Sequence, residues 1–141
     1  FGFGTPVLAA ANGRVADCFD GMPDNRQFDE TELAAREMVV FGNYVVIDHL
    51  NGEYSCFAHL KQGTVAVRPG EEIQQGRVIG QIGASGSSLF PHLHYELRNG
   101  IGAKEVEGLP SYFHQFRRVL GSKAIEVPRG QIDTGDIVEW Q

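Results

Sequence analysis

Along most of this chain the apolar positions fall into short runs, each closed by glycine, proline or an Asn-Gly pair. "GTPVLAAANGRVADCF" predicts a strand from Pro6 to Ala10, a turn at Asn12-Gly13, and a second strand from Arg14 to Phe19. Asn-Gly between apolar runs is the strongest short-range hairpin signal, because both residues tolerate the positive φ of a type I′ turn. "GNYVVIDHLNGEYSCFAHL" repeats the device, with strands Asn43 to His49 and Glu53 to His59 flanking Asn51-Gly52. In "GTVAVRPGEEIQQGRVIGQIGASG" short apolar pairs alternate with Pro69-Gly70, Gly76, Gly80 and Gly83. Many short strands with closely spaced turn signals predict an all-β, mainly antiparallel sandwich or open barrel. Side chains alternate faces along a strand, so Val45 and Ile47 share one face and Leu93 and Tyr95 another. The predicted core is Val7, Leu8, Val45, Ile47, Phe57, Val78, Ile79, Leu93 and Tyr95.

Two stretches break the rhythm. In the segment from Asp20 to Val40, "DETELAAREMVV" offers Asp29 as an N-cap followed by good helix formers, which predicts a short helix inside an inserted loop, residues 20–41. The tail, residues 100–141, holds "LPSYFHQFRRVL", compatible with helix or strand, and "IDTGDIV", a turn leading into a last strand. At 141 residues the chain is one domain's worth of sequence. Its composition, 42% hydrophobic and 21% charged with a net charge of −6, is that of an ordinary globular protein. The acidic balance argues against nucleic acid, whose partners carry basic patches. No apolar run is long enough for a membrane span. The chain opens at "FGFGTPV" without an initiator Met, which predicts an excised domain whose upstream part would carry any export signal. Cys18 and Cys56 are too few for a disulfide framework and lack metal-site spacing, so they read as buried free thiols.

The candidate chemistry lies in histidine. "FPHLHYELRNG" predicts a strand opening at Pro91, with His92 and His94 projecting to the same side. Two such imidazoles can hold a metal, share a proton-transfer task, or sit on the wet face of a sheet. His59 closes the apolar run "YSCFAHL", where a side chain can lean over a groove. His49 precedes an Asn-Gly turn and reads as solvated, and His114 sits among aromatic residues of the tail.

"GTPVLAAANGRV", "GNYVVIDHLNGEYSCFAHL", "VRPGEEIQQGRVIGQIGASG" and "PHLHYELR" occur in that order, over Gly4 to Arg98. Together they resemble the M23 family of zinc metallopeptidases, the lysostaphin-like cell-wall endopeptidases. The resemblance implies a fold of the lysostaphin-like, barrel-sandwich-hybrid type, spanning residues 1–141 as one peptidase domain with the insertion and the tail. It implies an extracytoplasmic enzyme that cuts peptide cross-links of peptidoglycan with zinc-activated water. By position, His94 resembles the zinc ligand of the family's H-x-H motif, His92 its catalytic partner, and His59 the histidine that works beside it. Sequence leaves open which of His59 and His92 is the base and which stabilises the transition state. "GASGSSLFPHLH" would enter the substrate groove, with Ser85 among its small residues and Leu89-Phe90 as a bulky apolar rim where many relatives have Thr-Gly.

The family's upstream H-x-x-x-D motif, which carries two further zinc ligands just before the "GTPV" segment, is absent from the 141 residues. A catalytic zinc typically needs three protein ligands and an open position. The expectation is therefore weak or no zinc binding by this chain alone, with activity in a parent carrying the upstream residues. A degenerate relative that binds cell wall or a partner without cutting is the alternative. A carrier module is a third reading, since the "VRPGEEIQQGRVIGQI" repeat also resembles biotinyl and lipoyl domains. Lys61, Lys104 and Lys123 all lie outside the hairpin-tip position such a module modifies.

Overall fold

The computed structural model describes residues 2–25, 31, 37–133 and 136–140. The chain divides into two units, Phe1–Leu109 and Pro110–Gln141. In the first, a six-stranded antiparallel sheet has the order β5-β2-β3-β4-β7-β8. Its strands are β2 (Gly13–Phe19), β3 (Asn43–Asp48), β4 (Tyr54–Leu60), β5 (Glu72–Ile73), β7 (His94–Arg98) and β8 (Gly108–Leu109). A separate two-stranded sheet pairs β1 (Pro6–Leu8) with β6 (Val78–Gln81).

The hairpin at Asn51-Gly52 forms as the sequence predicts, with Asp48 opposite Tyr54. The Asn12-Gly13 signal does not. β1 pairs with β6, and β2 pairs with β3 and β5, so this turn passes the chain from one sheet to the other. A turn sequence sets a local reversal; the partner is chosen by the apolar faces that must be covered.

The main core fills one side of the sheet. Val15, Val45, Ile47, Phe57 and Ile73 meet Val7 and Ile79 of the small sheet, and Leu93 and Tyr95 pack against the cluster half-buried. Leu8 and Val78 are corrections to the predicted core. They face each other across β1 and β6 but are 51% and 46% exposed, on the outer side of the sheet whose inner side carries Val7 and Ile79. β3 is buried on both faces. Tyr44 and Val46, with Cys56 and Ala58 of β4, form a second apolar cluster with Met38, and Phe41 and Ala103 pack against it. Two segments outside the sheet thus cover the face that alternation alone would leave wet.

Of the helix expected after Asp29, residues 30 and 32–36 lie outside the described residues, and Thr31 between them is helical. The stretch ends in a 3₁₀ turn, Glu37–Phe41. In the second unit, β9 (Phe113–Leu120) lies between β10 (Lys123–Gly130) and β11 (Ile137–Trp140), all antiparallel, so "SYFHQFRRVL" is strand rather than helix. Among its described residues Phe116 is fully buried.

Candidate active site

The centre of the site is made by an irregularity in β4. Asn43 pairs with Leu60 and Val45 with Phe57, so two steps along β3 oppose three along β4. That is a β-bulge, and His59 within it has φ +57°. A non-glycine residue in this left-handed region is uncommon, and bulges are typically used to re-aim a side chain beside a functional site. Parity changes there. Ala58 belongs to the second cluster, yet Leu60, two residues on, faces the main core with Phe57. His59 is thereby turned toward the start of β7, still only 5% exposed.

The three histidines singled out in the sequence come together. The His59 ring centroid lies 4.8 Å from that of His92 and 5.7 Å from that of His94. His92 precedes the strand, because β7 opens at His94 and not at Pro91. Its ring is placed by local contacts: Nδ1 lies 2.8 Å from the Phe90 carbonyl and 3.4 Å from the Ser88 hydroxyl, and the Phe90 ring packs 5.1 Å away. Of the expected groove residues, Leu89 and Phe90 are exposed at 86% and 61%, beside His92. Ser85 is fully buried, with its hydroxyl and carbonyl both bonded inside the fold.

Hydrogen bonding sets the tautomers. His59 Nδ1 lies 2.9 Å from the Ser85 carbonyl, which can only accept. Nδ1 therefore carries the proton and Nε2 the lone pair. The Phe90 carbonyl assigns His92 in the same way. Each neutral ring thus presents an acceptor, not a donor. Burial pushes the His59 pKa down to about 4, against the Ser85 carbonyl that favours its charged form, with His92 and His94 adding to the fall. Near neutral pH His59 is an uncharged acceptor.

His94 has different surroundings. Phe41 stands edge-on to its ring at 5.3 Å. Glu96 Oε2 is 3.7 Å from Nε2, too long for a hydrogen bond, and the other Glu96 oxygen takes 3.0 Å from the buried Arg98. Nε2 is buried without a partner, a nitrogen available to an acceptor-seeking ligand or metal. One such nitrogen does not make a zinc site. Among the described residues no group of three His, Cys, Asp or Glu side chains could hold a metal ion. These residues do not by themselves fit a catalytic zinc.

His49 is not a free turn residue. Its Nδ1 is 2.7 Å from the Asn12 carbonyl and its Nε2 2.9 Å from the Ser55 hydroxyl, tying the entry of β2 to the hairpin. His114 is exposed on β9 of the second unit.

The model of peptidase family M23 matches residues 2–107. The chain belongs to this family. Among its relatives are the cell division protein DipM of Caulobacter vibrioides, 33% identical over 72% of this chain and 14% of DipM. The peptidoglycan DD-endopeptidase ShyC of Vibrio cholerae is 35% identical over 70% of this chain and 18% of ShyC. The chain therefore spans less than a fifth of either. The catalytic domain of lysostaphin from Staphylococcus simulans shares the fold, with a TM-score of 0.55 and 21% identity over 77% of this chain and 69% of that one. The M23 member described here keeps the β-rich, open antiparallel architecture of that enzyme.

Sequence reasoning misses the residues that hold the histidines in place. In the sequence Asn43 is only the head of a strand, yet it is fully buried and bonded to three segments, at Gly21–Met22, Leu60 and Ser85. The available signal is its type, since Asn is depleted in strands and rarely buried without a purpose.

Proposed function

We propose that this domain acts on the peptide cross-links of peptidoglycan as an endopeptidase, outside the cytoplasm where that polymer lies. The supporting observation is the pair of adjacent imidazoles, His59 and His92, each holding its proton on Nδ1 so that Nε2 is left as a base. Similarity to a peptidoglycan DD-endopeptidase supports the substrate class. His92, half-buried at the exposed Leu89-Phe90 rim, takes the proton of the attacking water at Nε2 and returns it to the leaving amine. His59 accepts a second hydrogen bond from the same water or from a substrate N–H. A transition-state oxyanion would need a donor, which a neutral His59 in this tautomer does not offer.

In the family zinc supplies the Lewis acid, and His94 is the residue here that would reach it. The other ligands would have to come from outside the described residues. That shortfall favours a second reading, a domain that binds cell wall without cutting it.

The test uses purified sacculi. Soluble fragments are followed by liquid chromatography, sacculus binding by sedimentation, and bound zinc by elemental analysis after dialysis. Hydrolysis by the protein once its remaining zinc ligands are supplied, with His92→Ala slowing it by about 10²–10⁴-fold while binding persists, is the expected result. Sedimentation with sacculi but no released fragment and no zinc would establish the binding reading instead.

A further inference from the structure

The bulge that aims His59 is held from behind by two side chains of other segments. Asn43 Nδ2 donates to the Leu60 carbonyl at 3.0 Å, and the Ser85 hydroxyl donates to the same oxygen at 2.7 Å. Both lone pairs of the Leu60 carbonyl, one residue beyond His59, are therefore occupied. The carbonyl of His59 itself accepts from Gly83 N–H at 3.0 Å. The Ser85 hydroxyl also accepts from the Asn43 backbone N–H at 3.0 Å, which links the two holding residues to each other. Asn43 has no capacity left over. Its Oδ1 accepts from Gly21 and Met22 at 3.0 and 2.8 Å, and its second Nδ2 hydrogen goes to the Met22 carbonyl at 2.8 Å. Asn43 and Ser85 are both 0% exposed.

Four features meet here: a left-handed non-glycine residue, a bulge, a fully satisfied buried amide, and a loop carbonyl that fixes the ring. A residue in that backbone region persists only where its surroundings over-determine it. We infer that Asn43 and the Ser85 hydroxyl are positioning residues for His59, holding its backbone in the left-handed turn and its ring against the Ser85 carbonyl in the Nδ1–H tautomer. They touch no substrate. The inference rests on the peptidase reading only for its consequence in rate; the placement of the ring is a property of the fold.

The experiment compares the wild-type protein with Ser85→Ala and Asn43→Ala. Ser85→Ala keeps the backbone carbonyl that His59 contacts and removes only the hydroxyl. Imidazole ¹⁵N shifts, read in nitrogen-15-labelled protein at neutral pH, report the tautomer of each ring. The expected result is one Nδ1–H tautomer for His59 in the wild type and a mixture in the variants, with His92 unchanged because Phe90 holds it separately. Wherever the protein hydrolyses sacculi, the variants should lower kcat by about 10- to 100-fold with KM unchanged, as for a small misplacement of a reacting group. An inactive wild type that shows the tautomer change would sink the peptidase reading and uphold this one. If Asn43→Ala does not fold, Ser85→Ala decides alone. A folded Ser85→Ala protein whose His59 keeps the wild-type tautomer overturns the inference.

Discussion

Replacing Gly86 by alanine should loosen the loop that carries Ser85, by an amount that can be bracketed from geometry. Gly86 has φ +68°. An L side chain in that region costs roughly 1–2 kcal/mol. A Cβ there would also stand 2.7 Å from the Val40 carbonyl and 2.8 Å from Gly42 Cα, and closer still to the Gly42 nitrogen. These are backbone atoms, and the Val40 carbonyl already accepts from Ser87 at 3.0 Å, so the neighbour cannot simply rotate away. Overpacking of this kind costs about 1–3 kcal/mol, giving roughly 2–5 kcal/mol in total. Gly52 is the control. It has φ +87° with nothing within 4 Å of an added Cβ, so Gly52→Ala should show only the roughly 1–2 kcal/mol conformational part. Urea denaturation followed by far-ultraviolet circular dichroism reads the difference. With a slope of about 2 kcal/mol per molar, the Gly86→Ala midpoint should fall about 0.5–1.5 M below that of Gly52→Ala. Coincident midpoints would show that the close approach of the two loops contributes nothing, and the reasoning would fail.

Two further outcomes follow from the titrating groups. Because the folded state holds His59 near pKa 4 against an ordinary 6.5, the unfolded chain binds more protons between those values. Stability should therefore drop as pH falls from about 6.5 toward 4, by up to about 3 kcal/mol from this group, and His59→Gln should flatten that part of the profile measured by urea midpoint. Burial pushes the Cys56 thiol up to about 12, with Arg98 opposing and the Glu96 and Asp17 charges adding to the rise. Iodoacetamide near pH 8 should leave Cys56 unlabelled in the native protein and label it after denaturation, as read by peptide mass spectrometry; labelling of Cys56 at the rate of an exposed thiol would contradict the burial.

What the sequence made legible was local or periodic. Asn51-Gly52 marked its hairpin because the strands on either side also pair with each other, whereas Asn12-Gly13 carried the same signal between strands that pair elsewhere. Alternation placed Val45, Ile47 and Phe57 in the core correctly. Leu8 and Val78 were placed in the core beside their neighbours Val7 and Ile79 against that same alternation, which leaves one of two adjacent apolar residues on the outer face of a short strand pair. The histidines were visible as chemistry. Their convergence depends on a bulge at His59 that no glycine announces, since the neighbouring Leu60 carbonyl is held by Asn43 and Ser85 from 17 and 25 residues away. Periodicity cannot register a contact of that kind. Ser85 looked like a small residue fit for a groove, and its burial arises from loop packing.

The segment before β3 is fastened by its carboxylates. Asp20 accepts from the backbone N–H groups of Gly63 and Val65, and Asp24 from those of Gln62 and Ala84. Every one of these bonds reads a main-chain amide rather than a side chain. As far as this fastening is concerned, positions 62, 63, 65 and 84 are interchangeable among all residues that own an N–H, and closed to proline alone. The aspartates are not interchangeable with anything longer or uncharged. The side chains at these four positions can therefore drift in sequence while two fixed acids keep the backbone in register.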